Sequence, residues 1–275
     1  MNRKAAGGVL RMLIRDKVVL VTGASQGIGA AAAIALARRG AKLAVTARSE
    51  DKLRALDVPD AFAVPGDLME SAGRRRIVEQ TLAHYGRIDI LINSAGIGLY
   101  APAHDAPMDQ VRDMFELNFF AVLEMCQLAG AAMRERRSGL IVNISSIAGK
   151  VTLPWFTLYS ASKYAVCSLT DGLRTELKPF GIHTMAVCPG YVRTEFQAHV
   201  LAGRAPGALG GARNRFAITA AQCAEAIVRG VERNACTVLT PRVAWLMALA
   251  ARFLPRVVEA QLEGMYRRGD ESTNT

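Results

Sequence analysis

Metal-ligand spacing is missing from this chain. Its five cysteines (Cys126, Cys167, Cys188, Cys223, Cys236) form no C-x-x-C pair, and its four histidines (His84, His104, His183, His199) stand far apart. A metal centre and a disulfide framework are thereby excluded as organising features. The cysteines read as small apolar core residues of a reducing, cytoplasmic compartment. Aromatics are scarce, at 6%. They do not interleave with the short basic clusters "GRRRI" (73–77) and "RERR" (134–137), as a base-stacking platform requires. No nucleic-acid partner is expected, and both clusters read as solvated helix faces. The 34 Lys and Arg against 24 Asp and Glu still leave +10, a charge that suits an anionic membrane surface or acidic ligands. No apolar run approaches the ~20 residues that span a bilayer. No repeat at solenoid period is visible, and no linker divides the chain.

What the chain does have is 51% apolar and 21% charged residues, the composition of a globular protein with a sizeable core. Residues 1–15 read as a ragged extension, because Arg11 and Arg15 interrupt its apolar character. From Lys17, short apolar, β-branched runs alternate with helical stretches. Strands are expected at 17–21, 42–47, 61–65, 88–93, 139–145, 183–188 and 236–240. Helices are expected at 28–39 (closed by Gly40), 70–84, 108–137, 157–177 and 219–233. Continuous apolar strands separated by helices predict an α/β, doubly wound Rossmann fold with about seven parallel strands. One domain covers 16–240, and ligands belong beyond the C-terminal ends of its strands. The Gly- and Ala-rich segment 201–215 lies within an expected lid at about 195–216. Residues 241–275 form an apolar, helical tail, broken at Pro255.

The stretch "VVLVTGASQGIGAAAA" sets Gly23, Gly27 and Gly29 between a strand and a helix. Glycine is needed where the chain turns sharply and where backbone must approach a pyrophosphate. The helix beginning there aims free N–H groups and its positive dipole end at the anion. Gly23, Ser25, Gln26, Gly27, Ile28 and Gly29 are therefore candidate dinucleotide contacts. At the end of the second strand, Ala47 stands where an NAD site carries an acid, and Arg48 follows. No carboxylate repels a 2′-phosphate there, and a guanidinium pairs with one through two bonds. Arg48 and Ser49, helped by Lys52, thus predict NADP(H) over NAD(H), with NAD(H) still possible.

Further on, "YSASK" places Tyr159 and Lys163 one helical turn apart, on one face. With both motifs in view, the chain resembles the short-chain dehydrogenase/reductase family, in its compact one-domain branch, over about residues 16–240. The likeness rests on "TGASQGIG" (22–29), "GDL" (66–68), "NSAG" (93–96), Asn118 in "ELNFF", "VNISS" (142–146), "YSASK" (159–163) and "PGYVRT" (189–194). Ser94 departs from the family's usual second Asn, and Gln26 stands where NADP-dependent members often carry Arg or Lys.

The resemblance implies an oxidoreductase acting on CH–OH donors, with Asn118, Ser146, Tyr159 and Lys163 as the catalytic group. It implies that Asp67 and Leu68 hold the adenine and that Asn93, Ala95 and Gly96 line the ribose and pyrophosphate. Pro189, Gly190, Val192 and Thr194 would border the nicotinamide, and Tyr159 and Lys163 would also touch the cofactor. A free phenol has a pKa of about 10, and a neighbouring ammonium lowers it by about 1–3. Lys163 is therefore expected to tune Tyr159 as the acid/base. Ser146, preferred over Ser145 for the family's spacing to the tyrosine, would orient the substrate oxygen, and Asn118 would hold a water linking Lys163 to solvent. The expected substrate is a small hydrophobic carbonyl compound or alcohol, with a ketoacyl group on a carrier or coenzyme A, or a non-catalytic NADP-binding role, as alternatives. A homodimer or homotetramer through 108–137 and 157–177 is implied. The tail is expected to cover the pocket or pack on a subunit, with peripheral membrane contact as the further alternative.

Overall fold

The computed structural model describes residues 12–201 and 216–273. Strands and helices are labelled in chain order. The first half contains β1 (Val18–Thr22), α1 (Gly27–Ala37), β2 (Lys42–Thr46), α2 (Glu50–Arg54), β3 (Phe62–Ala63), α3 (Ser71–Tyr85), β4 (Ile90–Asn93), α4 (Met108–Phe115) and α5 (Ala121–Glu135). The second contains β5 (Gly139–Ile144), α6 (Thr157–Leu177), β6 (Ile182–Pro189), β7 (Val192–Arg193), β8 (Ile218–Thr219), α7 (Ala220–Glu232), β9 (Thr237–Thr240), α8 (Ala244–Phe253) and α9 (Pro255–Thr273).

Seven strands form one parallel sheet, as the alternating pattern predicts, and the structure sets their order as β3-β2-β1-β4-β5-β6-β9. β1 is buried along its whole length, because helices cover both faces of the sheet. Side chains alternate across it. Val19 and Val21 meet Ala32 and Leu36 of α1 and Ile227 of α7 on one face. Leu20 meets Ile77 of α3 and Met125 of α5 on the other. Register aligns Val21 with Val45 of β2 and with Ile92 of β4. From β1 the strand order runs one way to β2 and the other way to β4, so a crevice opens at their C-terminal ends.

Three expectations change. The helix expected at 108–137 is α4 and α5 joined by a π-helical turn, Glu116–Phe120. The end of the extension is docked rather than ragged: the Met12 amide donates to the Glu232 carbonyl at 3.0 Å, and Ile14 is buried in the core. Cys236 is exposed, whereas the other four cysteines are buried. In the expected lid, residues 202–215 lie outside the described residues. Its flanks are a 3₁₀ turn (Glu195–His199), a bridge from Leu201 to Leu99, and the β7–β8 pair. The tail breaks between α8 and α9 at Leu254–Pro255, as the proline requires.

Candidate active site

A cleft of about 1350 Å³ opens along the C-terminal ends of the strands, and most of the expected residues line it. The β1–α1 turn forms its floor. Gly23 has φ +66°, and a Cβ there would lie 2.7 Å from the Ala95 Cα. A Cβ on Gly29 would lie 2.3 Å from the Gly23 carbonyl oxygen. The turn can close only with bare backbone at both places. The Thr22 hydroxyl accepts from the amides of Ser94 (3.0 Å) and Ala95 (3.3 Å), locking the β1 turn to the β4 loop. Ser25, Gln26, Gly27 and Ile28 complete that wall.

Arg48, Ser49 and Lys52 line the cleft beyond β2, with Ala47 beside them. The Ser49 hydroxyl caps α2 by accepting from the Lys52 amide at 3.4 Å, and the Lys52 ammonium donates to Gln26 Oε1 at 3.5 Å. Arg48 is exposed and, among the described residues, makes no ion pair. Asp67 and Leu68 follow at the same end, where Asp67 Oδ1 accepts from the Met69 amide at 2.9 Å.

That loop has a prop which the sequence reading placed in solvent. Arg74, the middle of "GRRRI", is buried and not on a solvated face. Its guanidinium donates to the carbonyls of Leu68 (2.6 Å) and Met69 (2.9 Å) and to Glu124 (2.7 Å), and it also bonds Glu116. The signal was present: Arg74 shares a helical stripe with Ile77, Val78 and Thr81, all buried.

Asn93 does not line the cleft. Its side chain turns into the core and donates to Asn143 Oδ1 at 2.8 Å, and Asn143 donates onward to Thr170 at 3.0 Å. This buried chain ties β4, β5 and α6 together, and it corrects the role implied for Asn93. Ala95 and Gly96 do line the cleft, as do Pro189, Gly190, Val192 and Thr194.

At the deep end, α6 presents Tyr159 and Lys163, both buried. Ser146 and Ser145 have different work. Ser145 donates to the Lys163 carbonyl at 2.8 Å and so fastens β5 to α6. Ser146 caps the 3₁₀ turn Ile147–Gly149, its hydroxyl accepting from the Ala148 amide at 3.1 Å, and it is near enough to the Tyr159 phenol to lower its proton affinity. Of the two serines, Ser146 is therefore the one at the acid/base. Asn118 lies in the π-helical turn, buried and off the cleft lining. Its Oδ1 accepts from the Ile97 amide (2.9 Å), and its Nδ2 donates to the Ile97 carbonyl (2.9 Å) and to Ser162 (3.1 Å). The side chain expected to hold a water is thus spent on fixing the loop after Gly96.

Electrostatics also depart from expectation. Burial pushes the Tyr159 phenol up from 10.0, and Ser146 only partly counters it. Burial likewise lowers Lys163, from 10.5 to about 8, with Cys167 and Cys188 opposing. The lysine's Nζ donates to the Ile144 carbonyl at 3.2 Å and stands 5.6 Å from the centre of the Tyr159 ring. Desolvation, with Tyr100 acting in the same direction, outweighs the contribution of Ser146, so the expected lowering of the phenol is reversed.

Tyr159 is packed against Phe156 at 4.4 Å and Phe196 at 5.8 Å between ring centres, and Tyr100 stacks on Phe156 at 4.1 Å. Met247 and Ala250 of α8 and Leu262 of α9 close the same mouth. The tail's share of this wall matches one expectation for it; the aromatic share was missed from sequence because Tyr100, Phe156 and Phe196 come from three separate segments. The wall makes an apolar chamber beside a protonated phenol.

A family model described as short chain dehydrogenase matches residues 17–205. The chain belongs to the short-chain dehydrogenase/reductase family. It is similar to the ketoacyl reductase HetN of Nostoc sp., with 37% identity over 185 residues, or 65% of this chain and 64% of that protein. It is similar to the 3-ketodihydrosphingosine reductase of Bacteroides thetaiotaomicron, with 37% identity over 187 residues and 66% of each chain. The chain thus spans a little under two thirds of the length of these curated relatives. A short-chain dehydrogenase of Burkholderia cenocepacia, solved in complex with NADP, superposes with TM-score 0.77 at 29% identity, covering 91% of this chain and 99% of that one.

Proposed function

We propose that this chain is an NADP(H)-dependent oxidoreductase that interconverts a hydrophobic ketone or aldehyde and its alcohol. The observation that carries the reading is that Ser146, Tyr159 and Lys163 stand together in one cleft with the glycine turn. The cleft fits a dinucleotide: bare backbone at Gly23 and Gly29 lets the β1–α1 turn close tightly along its floor, where a pyrophosphate would meet the start of α1, and Arg48 and Lys52 supply cationic charge where Ala47 supplies no acid. The NADP bound to the Burkholderia structure agrees with that choice.

When bound, the reduced nicotinamide supplies the hydride. Tyr159 gives its phenolic proton to the carbonyl oxygen as negative charge develops there. Ser146 holds that oxygen and the phenol together. Lys163, charged below about pH 8, stabilises the phenolate left behind. Because burial keeps the phenol protonated at neutral pH, the resting form is the one that serves reduction. The aromatic wall of Tyr100, Phe156 and Phe196 favours an apolar substrate. A ketoacyl substrate on an acidic carrier is the second reading, supported by the +10 charge and by the likeness to a ketoacyl reductase.

A homodimer or homotetramer through α4–α5 and α6 is part of this proposal, supported by Phe120, half exposed on that side. So is a cytoplasmic location, the expectation from the cysteine pattern. The test is a panel of ketones and alcohols with NADPH and NADH, run on the native chain and on Tyr159→Phe. Turnover should fall by about 10²–10⁴-fold in the variant while NADPH binding persists. Undiminished turnover would remove Tyr159 from the chemistry.

A further inference from the structure

The tail helices carry an apolar face that neither the cleft nor the core uses. Leu246, Leu249 and Phe253 of α8 follow one another at three- and four-residue spacing, Leu254 stands at the break and Val257 in the first turn of α9, and all are exposed, Phe253 by 70% and Leu246 by 66%. Such a stripe is far more apolar than solvent-facing helices tolerate without a partner. Arg242 lies one turn before it, and Arg252 and Arg256 flank its far end; all three are exposed and, among the described residues, none is in an ion pair. The acids of this region, Glu259 and Glu263, line a second cavity between the tail and α6, which Leu249 and Arg252 border on the tail side.

We propose that this face docks on an anionic lipid bilayer, with Leu246, Leu249, Phe253 and Val257 entering the acyl boundary and Arg242, Arg252 and Arg256 at the head groups. Charge decides against the obvious competitor. A second copy paired stripe to stripe, in antiparallel two-fold fashion, would set the Arg242 of one copy against the Arg256 of the other, like charge on like. Phospholipid head groups of negative charge match the same three cations. The chain's overall +10 works in the same direction. No described helix is long and apolar enough to cross a membrane, so the contact is interfacial.

The adjoining side of the same helices carries Ala244, Met247, Ala250, Val258 and Leu262 as cleft wall, Ala250 one turn on from Leu246. Docking would therefore set the mouth of the cleft against the acyl layer, where a membrane-dissolved ketone could enter without crossing water. That consequence rests on the function proposed above; the docking itself does not.

The test is flotation of the full chain with vesicles of phosphatidylcholine alone, and with vesicles of equal parts phosphatidylcholine and phosphatidylglycerol. Flotation is expected with the anionic vesicles, weakened by added salt. In Leu246→Glu/Phe253→Glu the bound fraction should fall by at least about tenfold. Both positions are exposed, so NADPH binding and the circular dichroism spectrum should be unchanged. Absence of flotation, or flotation indifferent to the double substitution, overturns the proposal. So does a two-copy mass in light scattering that the double variant abolishes while lipid binding is absent. Flotation is read without turnover, so failure of every ketone assay would leave this result standing and sink only the activity.

Discussion

Lys163→Met should make the protein more stable and less active. The lysine is buried, and burial brings its pKa from 10.5 down to about 8. A tenfold change in proton affinity is about 1.4 kcal/mol, so holding the charged ammonium in the fold at neutral pH costs about 3 kcal/mol. Methionine fills similar volume without charge. It gives up the 3.2 Å bond to the Ile144 carbonyl, a loss of about 1 kcal/mol, leaving a net gain of about 2 kcal/mol. For a chain of this size that is a rise in Tm of about 4–8 °C. The sign of the pH dependence is fixed. The folded value lies below the unfolded one, so between about 8 and 10.5 the unfolded chain binds more protons, and native stability rises with pH. Below that window the full cost applies. The advantage of the variant should therefore be greatest near neutral pH and shrink towards pH 10. Denaturant titrations of both proteins at several pH values would show it. A variant no more stable than the native chain at neutral pH, or a gap that ignores pH, would refute the claim that Lys163 is held charged against its surroundings.

Other substitutions probe separate parts of the molecule. Arg48→Ser should weaken NADPH binding about tenfold and leave NADH unchanged, since one exposed charge-assisted contact sits at the low end of the range; fluorescence titration with both nucleotides would measure it. Gly29→Ala should lose nucleotide binding and about 1–3 kcal/mol of stability, because the added methyl would meet the Gly23 carbonyl oxygen at 2.3 Å. The Asp89 carboxyl accepts from the Val18 amide at 2.9 Å and from Arg136 at 2.7 Å. Burial by itself would raise its pKa, but those bonds, with the charges of Lys17 and Arg87, hold it below its ordinary 3.8. Asp89→Asn should cost about 2 kcal/mol near neutral pH, less than a fully buried pair. The native advantage exists above the unfolded carboxyl value and is lost as pH falls through the folded one, so the two unfolding midpoints should converge in acid.

The chain order and type of the strands, the single domain and the bounds of α6 could be read from the chain alone. Each depends on a local rule: a continuous apolar, β-branched run in β1, a glycine turn where backbone is crowded, and a helix that starts and stops within its own text. The Tyr159–Lys163 spacing was legible for the same reason, since one helical turn is a property of neighbouring residues. Tertiary structure decided what depends on distant partners. It turned Asn93 to Asn143 across fifty residues, buried Arg74 under Glu116 and Glu124, and gave Ser145 to the helix and Ser146 to the phenol. It also set the proton affinities of Tyr159 and Lys163, because desolvation is the sum of everything packed around a group and no short stretch of sequence contains that sum.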